Sequence, residues 1–325
     1  MYKTILPLLS TYRSELMGVA TIMVMIFHTA SPSIYPFGFE ISPLKRGDLG
    51  VDFFLVLSAI GCYFSLSKKP TDVSGFYWRR FIRIIPTFVV CALIYSIVLF
   101  FTENRSLFSF WEYVSMYALL RGDVSFWYIG CILVCYLMFP FLYRLSCKMT
   151  VYYMFATIFT IVMFGLAYMR VGDTVYMYRF PIFLISVPIG KSIVEYTGNW
   201  GGQISKTLFL LLTVIAFICY MATTIVAKDF FGKYLSYLIV CIPIILWLAV
   251  LMTFLPSIIL RVLSFIGSIS LEVYLLHGPT TNRIVLLFTH KTIVLFICSS
   301  AIAIVFGYIM HISMNCVTNA LNNMK

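Results

Sequence analysis

Charge is the scarcest property of this sequence. Its 325 residues include 23 Lys+Arg and 12 Asp+Glu, or 11% of the chain, against 62% apolar residues and a mean hydropathy of +0.98. A soluble domain carries about 25% charged and about 45–50% apolar residues. So few ionisable side chains cannot solvate the surface of a globule of this size, and lipid must be the solvent for most of the chain. A soluble enzyme, a nucleic-acid binder and a disordered scaffold are thereby excluded. The nine cysteines contain no CxxC pair and no Cys/His cluster. That argues against a zinc site or a disulfide framework, so no metal is expected. Lying mostly in apolar stretches, they read as small buried hydrophobes. The first residues, MYKTILPLLSTYRSELMG, lack a long apolar core followed by a small-residue cleavage site, and the first span is expected to serve as its own targeting signal. No internal repeat or low-complexity segment stands out.

What is present is a succession of apolar runs. At about 20 residues per crossing, the apolar content suffices for about ten helices. The expected spans are 14–36, 48–66, 82–102, 126–146, 150–169, 178–196, 206–226, 234–254, 264–288 and 292–316. These runs are continuously apolar, whereas barrel strands alternate. The expected fold is therefore all-α: a polytopic membrane helix bundle forming a single integral-membrane domain over 1–325, with no appended soluble domain. Counting Lys and Arg in the loops puts 13 of the 23 on the side of the N-terminus, five of them in the 67–83 loop. The positive-inside rule then places both termini in the cytoplasm. The formal net charge of +11 is assigned to residues that flank spans and meet anionic headgroups, making membrane lipids rather than nucleic acid the partner. The longest break, 103–125, carries an amphipathic stretch, Phe108–Leu120, expected along the interface.

An ionisable group inside a span is costly and is a functional candidate by default. His28 lies deep in the first span, in GVATIMVMIFHTASPS. A neutral imidazole near pH 7 can accept a proton from a hydroxyl; the alternative is a packing hydrogen bond to a neighbouring helix. Asp52 opens the second span, either as an interfacial helix-end residue or as a carboxylate orienting a catalytic histidine. In SGFYWRRFIRIIP, Arg79, Arg80 and Arg83 form a compact cation cluster. Guanidinium forks suit phosphate oxygens, although a headgroup anchor needs the same residues. Ser58 and Gly61 read as close-packing positions, and Glu272 as structural. His277 precedes Pro279, which interrupts the apolar pattern. His290 and His311 have no partner that the sequence identifies.

Six segments in register resemble the acyltransferase-3 family of bacterial multispan O-acyltransferases. Glu15-Leu16-Met17-Gly18 through Phe27-His28 resembles the first-helix motif, and Gly50-Val51-Asp52-Phe53-Phe54 with Leu57-Ser58 the second-helix signature. Phe76 to Pro86 is similar to the family's FYxRRxxRIxP block, the most specific of the six. Phe126-Trp127-Tyr128 with Tyr136 and Pro140, Arg179-Phe180-Pro181 with Phe183 and Gly190, and Ile266-Gly267 through Tyr274-Leu275-Leu276-His277 resemble three more.

The resemblance implies about ten helices in a bacterial cytoplasmic (inner) membrane. It also implies a cytoplasmic acyl-CoA co-substrate, acetyl-CoA by default, no bound cofactor, and transfer to a hydroxyl of a carbohydrate or lipid-linked glycan. By that resemblance His28 is catalytic, and Arg79, Arg80 and Arg83 handle the CoA phosphates; Asp52 is expected to orient His28 as a triad carboxylate does. Trp127, Arg179 and His277 are further pocket candidates. One departure is that Met17 stands where the family's first helix has an arginine. At 100° per residue, Met17 and His28 are 20° apart on the helix, and Arg13 is one turn earlier and 40° from Met17. A snorkelling Arg13 is expected to take the missing role; an altered donor preference or an impaired homologue is the alternative. The rival functions are a transporter or flippase, which would show paired repeats and broken helices, and a structural partner in polysaccharide assembly.

Overall fold

A computed structural model describes residues 5–29, 46–169, 175–195, 205–226, 230–289 and 292–323. The 30–36 end of the first expected span, His290, Lys3 and Lys325 lie outside them. A one-turn helix, α1 (Leu8–Thr11), leads into α2 (Arg13–Thr29), α3 (Leu49–Ser67) and the 31-residue α4 (Val73–Glu103). Two short helices, α5 (Ser109–Val114) and α6 (Tyr117–Leu120), fill the long break. They bury Tyr113 and Ala118 and leave Phe108, Trp111 and Leu120 exposed. Then follow α7 (Trp127–Leu145), α8 (Met149–Tyr168), α9 (Val175–Val194), α10 (Lys206–Val226), α11 (Phe230–Met252), α12 (Ser257–Ser268), α13 (Ser270–Leu276), α14 (Asn282–Leu286) and α15 (Thr292–Asn323).

Every expected span coincides with a helix or a helix pair. Among the described residues seven helices are long and apolar enough to cross a membrane, or eight if the bent pair α12 and α13–α14 counts as one span. Two expectations are corrected. Arg79, Arg80 and Arg83 lie not in a loop but in the first turns of α4, because Asp72 caps that helix by accepting a hydrogen bond from the Gly75 N–H at 2.9 Å. The span expected at 264–288 begins at Ser257 and bends by 62°. A π-turn, His277–Thr281, follows α13 at Gly278-Pro279, where proline has no N–H to continue the ladder.

Helix α3 is the axis of the bundle. It is almost wholly buried, and its closest partners are α9 and α2. At the periphery α8 keeps only four of its 20 residues buried, which suits a lipid-facing helix. Helix α2 packs most extensively on α12, and two glycines permit this. A Cβ on Gly18 would lie 2.1 Å from the Leu263 carbonyl oxygen, and one on Gly267 1.8 Å from that of Ser14. All nine cysteines are free. Five are fully buried, but Cys147, Cys298 and Cys316 are exposed, which corrects the uniformly buried reading. Outward-facing positions of a lipid-solvated helix are apolar too, so hydropathy does not distinguish the two sides.

Candidate active site

Two of the cavities among the described residues are strung along the same helices at different depths. The first, of about 310 Å3, is lined by Arg13 and Met17 of α2, Ser58 of α3, Arg80 and Arg83 of α4, and Tyr136 of α7. The second, of about 850 Å3, is lined by His28 of α2, Asp48 just before α3, Trp127, Arg179, Lys233 and Arg283. Fifteen residues of α2 separate Arg13 from His28, or about 22 Å at ~1.5 Å per residue. The same order repeats on α4, with 80–84 at the first cavity and 95–103 at the second. It reverses on α3 and α7, as antiparallel neighbours require. The cavities therefore occupy opposite ends of the bundle.

In the first cavity the Arg13 Nε donates to the Leu57 carbonyl at 3.2 Å, and its guanidinium lies over Gly61, where a Cβ would meet Nη2 at 2.9 Å. Arg80 donates from Nη2 to the Gly61 carbonyl at 2.7 Å and lies over the rings of Phe76 and Tyr136. Both arginines thus use carbonyls of α3, and Gly61 gives them the space. Arg83 makes a two-pronged pair with the fully buried Glu272 at 2.5 and 3.1 Å. His311 Nδ1 lies 3.2 Å from the same carboxylate. Glu272 and His311 thus have a defined partner, which sequence could not supply across 189 residues. Arg79 is not brought to the cavity: it is exposed and pairs with Asp72 at 3.2 Å. Met17 does face it, where the family's arginine would stand.

In the second cavity His28 is exposed to the open space and, among the described residues, has no hydrogen-bond partner. Its ring rests on Gly278, where a Cβ would lie 3.2 Å from Cε1, and its centroid is 6.0 Å from that of His277. The buried His277 bonds through Nε2 to the Met25 carbonyl at 3.2 Å, so it braces α2 one turn before His28. Asp52 makes no hydrogen bond to His28. Its Oδ2 accepts from Nη1 of the fully buried Arg179, because α3 packs on α9 as well as α2 and Asp52 sits on the α9 side.

The carboxylate sharing a cavity with His28 is Asp48, which sequence reasoning missed. Its Oδ2 lies 3.1 Å from Arg179 Nη2 and 2.8 Å from Lys233 Nζ, and its Oδ1 accepts from the Tyr237 hydroxyl at 2.6 Å. Arg179 also lies over Tyr234, Tyr237 and Trp127. Two carboxylates and two cations balance here, as charges removed from water must. The signal that could have found Lys233 was a cation in an apolar run, FFGKYLSYLIV. On the far wall Arg283 pairs with Glu103 and donates to the Tyr95 hydroxyl at 3.3 Å.

A bundle of apolar helices with buried ion pairs and cavities lined by charged side chains at both ends is the architecture of a multi-pass membrane protein. A family profile described as an acyltransferase domain, that of acyltransferase-3, matches residues 16–312, so the chain belongs to this family of membrane acyltransferases. No curated protein and no solved structure matches it.

Proposed function

We propose that this protein is an O-acyltransferase of a bacterial cytoplasmic membrane. It moves an acyl group, acetyl by default, from cytoplasmic acyl-CoA to a hydroxyl of an exported or cell-surface carbohydrate or lipid-linked glycan. Arg13, Arg80 and Arg83 hold the phosphates of the donor in the first cavity, with Arg13 in place of the cation absent at Met17. The acceptor enters the larger cavity. His28 takes the proton of its hydroxyl as the oxygen attacks the thioester carbonyl. The C–S bond then breaks, and the imidazolium returns the proton to the departing CoA sulfur. A positioned base contributes about 10²–10⁴-fold, and holding two substrates in register supplies up to about 7–11 kcal/mol. A thioester is already activated, so no serine nucleophile is needed.

One observation carries this reading: His28, the histidine that faces a cavity among the described residues, opens onto a wide chamber, while Arg13, Arg80 and Arg83 line a separate cavity at the other end. The experiment is acyl transfer from labelled acetyl-CoA in membranes, with mass spectrometry of surface glycans. His28→Ala at unchanged protein level is expected to lower transfer by about 10²–10⁴-fold. The bent α12–α13 pair is the feature a transporter would claim. Full glycan acylation in His28→Ala, with export of the polymer lost, would favour that reading instead.

A further inference from the structure

The two cavities share one lining residue among the described residues, Tyr274 of α13. On its own helix Ser270 and Leu271 line the cation cavity, and Gly278, which touches His28, lines the other. Each is about one turn from Tyr274. Its ring closes a triangle with two others. The centroid separations are 5.0 Å to Tyr128 of α7, 6.3 Å to Phe54 of α3, and 6.1 Å between Phe54 and Tyr128. Three helices thus each contribute a ring at the depth where one cavity ends and the other begins.

This partition is held by ring packing alone. Neither tyrosine hydroxyl has a hydrogen-bond partner among the described residues. The Tyr152 and Tyr237 hydroxyls, by contrast, are anchored at 2.6 Å to the Leu184 carbonyl and to Asp48. The backbone after Tyr274 passes directly into the π-turn at His277–Thr281, a local irregularity of the kind frequent at functional sites.

We infer that Tyr274, with Phe54 and Tyr128, forms a movable aromatic septum between the cavities, and that Tyr274 is the specificity-determining residue that restricts the donor to short acyl groups. The inference rests on the acyl-CoA reading above. A donor held by Arg13, Arg80 and Arg83 must bring its thioester past this ring to meet His28. The width left when the ring swings aside then sets the bulk that can follow.

Two measurements test it. In the first, His28→Ala protein, in which the thioester survives, is photolysed with a short diazirine-bearing acyl-CoA and the labelled residues are mapped. Label is expected on Tyr274, Phe54 or Tyr128. Combining His28→Ala with Tyr274→Ala should move it onward to Trp127 or Asn282. Label that does not advance to Trp127 or Asn282 when Tyr274 is also removed would overturn the septum and leave the donor assignment standing. If acetyl-CoA competes away no label at all, the donor assignment fails and the septum with it.

The second measurement is the ratio of butyryl to acetyl transfer. One methylene in an apolar pocket discriminates by about 10-fold or more, so Tyr274→Ala should raise the ratio about tenfold. Tyr274→Phe, which keeps the ring, should keep the wild-type ratio. Phe54→Leu opens the same triangle from α3 and is expected to raise the ratio even if Tyr274→Ala does not fold. An unchanged ratio in active Tyr274→Ala or Phe54→Leu protein would overturn the proposal.

Discussion

Arg13 and His28 lie on similar faces of one helix yet end in different cavities, because fifteen residues carry the chain nearly through the bundle. Arg13 has its own partner in the Leu57 carbonyl and shares a chamber with Arg80 and Arg83. A hydrogen bond to a charged group contributes about 1.5–3 kcal/mol. Arg13→Ala is therefore expected to raise the donor KM by about ten- to a hundredfold while kcat stays near wild type. Steady-state kinetics with varied acyl-CoA checks this, and an unmoved KM would return the missing-arginine role to no residue of α2. His28, Arg80 and Arg83 were legible in the sequence because an ionisable group among apolar neighbours announces itself. Asp48 and Tyr237 were not, because their meaning lies in a contact 189 residues away. Asp52 was legible as a buried carboxylate but its partner was not, since sequence does not say which of two packed neighbours a carboxylate faces.

Helix positions were visible in the apolar runs, and helix ends much less so. The caps decide them. Asp72 accepts the Gly75 N–H and pairs with Arg79, and these two interactions hold its carboxyl below the usual carboxylate range, the backbone bond foremost. A depressed acid contributes stability above its ordinary titration and loses it as pH falls through the lowered value. Asp72→Ala should therefore lower the melting temperature in detergent at neutral pH. The gap from wild type should narrow as pH drops below about 4; a gap independent of pH would show that the charge is not involved.

The glycines act at the same scale. In Gly267→Ala the new Cβ would meet the Ser14 carbonyl at 1.8 Å, which is backbone and cannot swing away, so α2 and α12 must part. Overpacking costs about 1–3 kcal/mol, and loss of folded protein by size-exclusion chromatography is the expected result. A wild-type elution profile and melting point would refute the close approach. The bend at α12–α13 was hidden because neither proline nor glycine marks the break at Ile269 between its two arms.

For the whole molecule, the positive-inside count makes the Arg80 end the expected cytoplasmic one. Cys147, exposed just beyond α7 at that end, is the natural reporter. A membrane-impermeant maleimide is expected to label it in inverted vesicles and not in right-side-out ones, with Cys147→Ser as the control. The opposite pattern would invert the assignment of both cavities.

The sequence by itself determined that the chain is a helical membrane bundle of one family, because hydropathy and short motifs are local and survive without knowledge of neighbours. Only the tertiary structure decided that the arginines and His28 occupy separate chambers, that Asp48 rather than Asp52 shares the histidine's space, and that three rings stand between. Those facts depend on which helices touch and at what depth. Between apolar helices in lipid, that is settled by close packing and buried charge pairing, neither of which leaves a periodic trace along the chain.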